Sequence, residues 1–316
     1  MDHALVLAGG LGERLWPLSR KQTKTKEAIN LASNTMLELT IARLSQWVTK
    51  DRIWIVSSKV IPTYGCKLIL EPARKNTAAA VAWGLAQILA IDKDAFVGIF
   101  PIDHLISPFE NVIEALYDIK TQGSITALAI CADKPSRQYG YFKTEVSDKK
   151  MKKVVAFREK PENPKELLEA GYYINSGIYA AWARKLLAEI GCFLPRHFRA
   201  AQSRDSSLFT SLYPVSLDRG VIEKSKRLFG YPLKVFWEDI GSWGSYLKYA
   251  GEKGQFIKHN SDNSLVYAED TLVVLDGIRD ALVVVKDGIV LVMKKEDESQ
   301  IPQVLEEIRQ KYPGFA

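Results

Sequence analysis

The sequence predicts an α/β protein: a doubly wound, mostly parallel, Rossmann-like sheet followed by a small β-rich C-terminal domain resembling a short β-helix. Three observations point there. Short, continuously apolar runs of strand length alternate with segments of helical periodicity up to about residue 135, as in parallel βαβ units. The first such run, Leu5-Val6-Leu7-Ala8, breaks into Gly9-Gly10-Leu11-Gly12, with charge following at once. After about Ala250 the helical period gives way to β-rich segments separated by turns of Asp, Gly and Asn. The expected division is residues 1–252 for the large domain and 253–316 for the small one.

Taken in order, His3 to Leu7 reads as a buried strand. Met36 to Val48 carries apolar residues at helical spacing, and Arg52 to Val56 returns to strand character. Lys67 to Leu70 is a short strand running into Glu71-Pro72-Ala73-Arg74-Lys75-Asn76-Thr77, where Asn76 or Thr77 can cap the alanine-rich helix that follows. Ala95 to Phe100 is the central strand, leading into Pro101-Ile102-Asp103-His104. A helix over 108–120 and a strand over 125–130 complete another βαβ step. Beyond Pro135 the texture changes, with strands over 139–143 and 154–159 at the far side of the sheet. A helix lies around Ala183 to Ile190, and short helices and loops fill 193–213. The small domain takes strands over 264–268, 272–275, 281–286 and 289–293, and a final amphipathic helix from about Ile301 to Gln310.

With 316 residues, 47% apolar and 25% charged, the chain has ample length for a large core. Its formal charge of +6 suits an acidic ligand, yet Lys and Arg are spread along the chain rather than clustered. The expected partner is a phosphorylated small molecule and not nucleic acid. Cys66, Cys131 and Cys192 are odd in number and far apart, which excludes a disulfide framework and a zinc spacing and favours a reducing cytoplasm. No signal peptide and no apolar run of bilayer length is found, so a soluble cytoplasmic protein without a membrane partner is expected.

The glycine turn carries the first chemistry. Glycine tolerates positive φ and lacks Cβ, so the backbone N–H groups of a turn with Gly9, Gly10 and Gly12 can approach a phosphate closely. Arg14 adds a delocalised cation with several donors. The spacing fits neither G-x-G-x-x-G nor the Walker P-loop, which disfavours a dinucleotide-dependent oxidoreductase. Asp103 falls beyond the carboxyl end of a central strand, where open α/β sheets bind their ligands.

The stretch Leu7-Ala8-Gly9-Gly10-x-Gly12-x-Arg14-Leu15-Trp16-Pro17-Leu18-Ser19 resembles the L-A-G-G-x-G-x-R-L-x-P-L-S signature of sugar nucleotidyltransferases, in particular their mannose-1-phosphate guanylyltransferase branch. Further motifs follow in the same order along nearly the whole chain. Glu71-Pro72 with Asn76-Thr77-Ala78 is similar to the family's E-P-x-x-x-N-T-A, and Pro101-Ile102-Asp103-His104 to its P-x-D-H. Phe157-Arg158-Glu159-Lys160-Pro161 is similar to F-x-E-K-P, Asn175-Ser176-Gly177 to N-S-G, Ser216-Leu217-Asp218 with Val221-Ile222-Glu223-Lys224 to S-x-D-x-x-V-x-E-K, and Trp237-Glu238-Asp239-Ile240-Gly241-Ser242-Trp243 to W-x-D-x-G-x-W. Departures stand at Ile102, at Arg137-Gln138 before Tyr139-Gly140-Tyr141, at Arg219-Gly220, and in the loop Thr23-Lys24-Thr25-Lys26-Glu27, which lacks the family's proline.

The resemblance implies roles. Leu7, Ala8, Gly9, Gly10, Gly12, Arg14, Glu71, Asn76, Thr77 and Asp103 would bind the nucleotide, together with the loop lysine, Lys26 with Lys24 as its rival. Gly140, Glu159, Lys160, Asn175 and Asp239 would bind the sugar phosphate, and His104 would stand behind the ligands. Asp103 and Asp239 would hold Mg²⁺, provided the fold brings them together. Arg14, Lys26, Lys160, Asp103 and Asp239 would carry catalysis. The implied reaction is in-line attack of mannose 1-phosphate on the α-phosphorus of GTP, giving GDP-mannose and pyrophosphate. The small domain would serve packing or homodimer contacts. Open alternatives are a related sugar nucleotidyltransferase with another base or hexose, and a catalytically silent ligand-sensing paralogue.

Overall fold

The computed structural model describes residues 1–10, 12–20, 29–31, 33–131 and 134–316. In chain order the strands are β1 (Asp2–Leu7), β2 (Asn30–Leu31), β3 (Asn34–Thr35), β4 (Ile53–Ser57), β5 (Lys67–Leu70), β6 (Phe96–Pro101), β7 (His104–Ser107), β8 (Ile125–Ile130), β9 (Gly140–Thr144), β10 (Lys152–Glu159), β11 (Tyr173–Trp182), β12 (Leu228–Leu233), β13 (Phe236–Asp239), β14 (Lys253–His259), β15 (Leu265–Asp276), β16 (Ala281–Lys286) and β17 (Ile289–Lys294). The helices are α1 (Met36–Leu44), α2 (Asn76–Ile91), α3 (Glu110–Gln122), α4 (Pro164–Glu169), α5 (Ala183–Phe193), α6 (Pro195–Ser203), α7 (Ser206–Thr210), α8 (Leu217–Gly220), α9 (Trp243–Ala250) and α10 (Ile301–Lys311). None of the described helices is long and apolar enough to cross a membrane.

Two compact units emerge. The first comprises Met1–Gly9, Ile41–Ile102 and Ile106–Trp237; the second comprises Gly10–Thr40, Asp103–Leu105 and Glu238–Ala316.

The first unit is built on a nine-stranded mixed sheet, ordered β5-β4-β1-β6-β11-β8-β12-β10-β9. The expected parallel arrangement holds for β5, β4, β1 and β6. Past them β11 runs antiparallel to both β6 and β8, and β10 antiparallel to β12 and β9, so the far half is mixed rather than mostly parallel. Strand direction there follows from the long connections, which the local apolar pattern does not encode. Leu5, Val56, Val97 and Ile99 of the parallel half pack with Ala78, Val81, Ala82, Leu85 and Ile88 of α2, and the same core takes in Leu186 and Ile190 of α5 and Ala200 of α6. Helix α2 lies so close to β1 that a Cβ at Gly84 would come within 2.8 Å of Leu5 Cδ1. The middle of the helix is thereby packed tightly against the sheet. Leu7 pairs with Pro101, so the carboxyl ends of β1 and β6 are level.

In the second unit, β14 to β17 form a four-stranded sheet in which β14–β15 and β15–β16 are parallel and β16–β17 antiparallel. The sequence suggests separate strands over 264–268 and 272–275. They are one element, β15, whose first half pairs with β16 and whose second half pairs with β14, with Asp270 at φ +52° between them. Val266, Ala268, Val273, Leu275 and Val283 make the core of this sheet. Trp243, fully buried, has its ring centroid 5.7 Å from Tyr246 and 5.2 Å from Tyr267, joining α9 to β15.

Candidate functional site

In the first unit the chain leaves β1 with the Ala8 N–H donating to Val56 O at 2.9 Å, and Gly9 then passes directly over a carboxylate. A Cβ at Gly9 would stand 2.7 Å from Glu71 Oε1, so a larger residue here would have to displace that carboxylate. Glu71 is held at the end of β5 by its own N–H on Ser57 O. It is only 7% exposed, and its Oε2 has no hydrogen-bond partner among the described residues. Burial pushes its carboxyl up to about 7, against the opposing pull of Arg74. A buried carboxylate oxygen with no donor among the described residues is costly.

Five residues on, Asn76 takes the left-handed conformation at φ +66° and its Oδ1 accepts from Thr77 N at 2.7 Å. The Thr77 hydroxyl oxygen accepts from Leu217 N at 2.8 Å. Thr77 therefore ties the start of α2 to the start of α8 rather than capping its own helix.

The other predicted residues of this unit gather around β10 and β11. Glu159 pairs with Gly140 across the β10–β9 ladder, and a Cβ at Gly140 would come 2.7 Å from Glu159 Oε2. Lys160 follows at φ +48°, its N–H on Tyr139 O at 3.2 Å. Burial raises the Glu159 carboxyl, and the charge of Asp218 raises it further. Asn175 lies where the β11–β8 register shifts. Its Nδ2 donates to Tyr179 Oη and to Asp218 Oδ1, each at 2.8 Å, while its Oδ1 accepts from Gly177 N at 3.2 Å. The Tyr179 hydroxyl also donates to Asp218. Both amide hydrogens of Asn175 are thus engaged within the protein.

The second unit holds a charged cluster. Gly10 is exposed, and Gly12, at φ +68°, opens a single 3₁₀ turn over Glu13–Leu15. Arg14 Nη2 lies 3.7 Å from Asp239 Oδ2. Gly241 leaves room for both: a Cβ there would stand 2.6 Å from Arg14 Nη2 and 2.8 Å from Asp239 Oδ2. The Ile240 N–H donates to Asp103 O at 2.8 Å, drawing the two segments together. Asp103, His104 and Asp239 each offer a ligand atom, and these atoms all lie within 4.8 Å of one another. Two carboxylates suit a hard divalent cation. The imidazole adds a nitrogen that Mn²⁺ accepts more readily than Mg²⁺.

Asp103 and Asp239 therefore do meet, as the metal expectation required. His104, expected behind the ligands, contributes a ring nitrogen to the same cluster. Lys26 and its rival Lys24 lie outside the described residues. Sequence reasoning assigned no role to Tyr179 or Asp218. Asp218 sits in a recognised motif with Ser216 capping its short helix, a usable signal, whereas a tyrosine within an apolar strand reads as core.

Residues 3–255 match the family described as Nucleotidyl transferase. The mannose-1-phosphate guanylyltransferase of Salmonella montevideo is 29% identical over 352 residues, covering 98% of this chain and 74% of that protein. The alginate biosynthesis protein AlgA of Pseudomonas aeruginosa is 28% identical over 343 residues, covering 96% of this chain and 71% of its own length. Among solved structures, a protein of Thermus thermophilus described as a mannose-1-phosphate geranyltransferase is similar with a TM-score of 0.85 and 26% identity, covering 98% of this chain and 99% of that one.

Proposed function

This chain belongs to the nucleotidyl transferase family, and from that premise we propose that it transfers a guanylyl group from GTP to mannose 1-phosphate, releasing GDP-mannose and pyrophosphate. A phosphate oxygen of the sugar phosphate attacks the α-phosphorus in line. The bond from that phosphorus to the oxygen bridging the α- and β-phosphates breaks, and its electron pair leaves on that oxygen with pyrophosphate. The attacking oxygen is already an anion, so no protein nucleophile is needed. Catalysis is positioning and charge.

The observation that carries this reading is the meeting of Asp103 and Asp239 beside Arg14. Their carboxylates are a fitting pair for a divalent cation, here Mg²⁺, which when bound offsets phosphate charge. Arg14 binds triphosphate oxygens, with backbone N–H groups of the glycine turn and, from the family resemblance, Lys26. Lys160 binds the acceptor phosphate, and Glu159 and Gly140 meet the sugar.

Glu71 supports guanine as the base. One edge of guanine presents N1–H and N2–H side by side, a pair of donors matched to one carboxylate. The Oε2 atom without a partner and the close approach of Gly9 both favour a base at this position. Mannose 1-phosphate as acceptor accords with the names of the relatives that match nearly the whole chain.

Pyrophosphate release measured across GTP, ATP, CTP, UTP and dTTP, each with mannose, glucose and galactose 1-phosphates in Mg²⁺, tests the proposal. The fastest release is expected with GTP and mannose 1-phosphate. Another preferred pair reassigns the specificity, and silence with every pair defeats the reading.

A further inference from the structure

The turn that carries Arg14 is short and is seated by its own Leu15, which is fully buried. It has a backbone bond from Leu15 N to Gly12 O at 2.8 Å and one from Trp16 N to Glu13 O at 3.1 Å, with Leu18 and Ser19 closing onto Leu15 behind it. With about 120° between successive residues of a 3₁₀ turn, burying Leu15 sends Glu13 and Arg14 out on two other sides, so a restraint on Glu13 bears on the direction of its neighbour Arg14.

Beyond the burial of Leu15 and the Arg14–Asp239 pair, further restraint comes from the far end of the sequence, within the same compact unit. The Trp16 indole N–H donates to Phe315 O at 2.9 Å, and the Trp16 carbonyl accepts from the Trp243 indole at 2.9 Å. Arg20 Nη2 donates to Gly314 O at 2.8 Å. These bonds fix the C-terminal side of the turn. The turn itself is held through Glu13, whose carboxylate pairs with Arg309 of α10. Arg309 is set in turn by its Nη1 on Glu306 Oε1 at 2.8 Å, and α10 is anchored by the buried Ile301 and Leu305.

We propose that Arg309 is a positioning residue for nucleotide binding: by holding Glu13, it sets the direction in which the Glu13–Leu15 turn presents Arg14 and keeps the Glu13 carboxylate from pairing with that neighbour. The role rests on the reading of Arg14 as a triphosphate ligand. The pair is partly exposed, with side-chain exposures of 28% for Arg309 and 29% for Glu13, so its contribution to stability is slight. Its contribution to geometry is larger, because a displacement of about 1 Å at a reacting group can cost on the order of a hundredfold in rate.

The test is steady-state kinetics on the full chain with GTP and mannose 1-phosphate, paired with calorimetric titration of GTP. Arg309→Ala should raise the KM and the dissociation constant for GTP about tenfold, leave the KM for mannose 1-phosphate within about twofold, and shift Tm by no more than about 2 °C. Arg309→Lys, which keeps the charge but loses the fork, should fall between. Because Arg309 acts through Glu13, adding Arg309→Ala to Glu13→Ala should change nothing further.

A GTP affinity unchanged in Arg309→Ala, an equal rise in both KM values, or an undiminished effect of Arg309→Ala in the Glu13→Ala background would each overturn the proposal. If wild-type protein binds GTP yet releases no pyrophosphate with any acceptor, the reaction assignment fails, while the titration still decides the role of Arg309.

Discussion

Around Asn175 the protein has supplied its own hydrogen-bond partners, whereas around Asp239 it has assembled charges. In the first region Asn175, Tyr179 and Asp218 are joined by bonds of hydrogen-bonding length, and Glu159 is neighboured by Asp218. In the second, Arg14 stands 3.7 Å from Asp239, a loose ion pair, and three metal-ligand atoms lie within 4.8 Å of one another. The difference follows from the ligands proposed for each. Sugar hydroxyls are neutral and weakly discriminating, so a site that tells one from another must be rigid before they arrive. Phosphates and cations bring charge enough to organise their own ligands, and a looser arrangement suffices.

If this contrast is right, the charged cluster should dominate turnover. Asp103→Asn and Asp239→Asn should each lower kcat by about a thousandfold in Mg²⁺, the scale of losing a major electrostatic contact, with the melting transition preserved. Rates near wild type in either variant would remove the metal cluster from the mechanism.

Glu71 sharpens the contrast, since it belongs to the first unit yet has an oxygen with no protein partner among the described residues. Glu71→Gln replaces one acceptor with a donor and should lower kcat/KM for GTP by about a hundredfold relative to ATP and UTP. It should also alter stability with pH. Burial raises the carboxyl from 4.5 to about 7, so the folded state binds more protons than the unfolded state between these values. Wild-type stability is therefore lost as pH rises from about 4.5 to about 7, by up to about 3 kcal/mol, and is flat above that range. Glutamine does not titrate, so the melting temperature of Glu71→Gln should gain on wild type between pH 5 and pH 8. A constant difference across that range would mean Glu71 is ionised in the free protein.

Asp103 was singled out by its place beyond the end of a central strand, whereas Glu71, Glu159 and Asp239 were singled out by the resemblance of their segments to family motifs. That Asp103 and Asp239 meet was not legible, since they are joined through a backbone bond between segments far apart in the chain. The far half of the sheet escaped for the reason that strand direction leaves no trace in local hydrophobicity. Strand β14 was hidden by its composition: Lys253, Gln255 and Lys258 interrupt the alternation, and Lys258 is satisfied by Glu252 and by Ser264 O. Helices α6 and α7 fall where short helices were expected, and Arg204 ends α6 at φ +54°.

Tyr179 is the test of whether the first region is rigid by design. Its hydroxyl is buried and donates to Asp218 while accepting from Asn175, and burial together with the charge of Asp218 pushes its ionisation well up, so it remains a donor at any working pH. Tyr179→Phe removes both bonds and little volume. It should destabilise the fold by about 1–3 kcal/mol, because Asp218 and one amide hydrogen of Asn175 lose a buried partner. The KM for mannose 1-phosphate should rise about tenfold as Asp218 and Asn175 become free to rearrange, with the KM for GTP within about twofold. If both KM values rose together, or only stability changed, the network would be ordinary core and the rigidity of this region would have to come from the sheet alone.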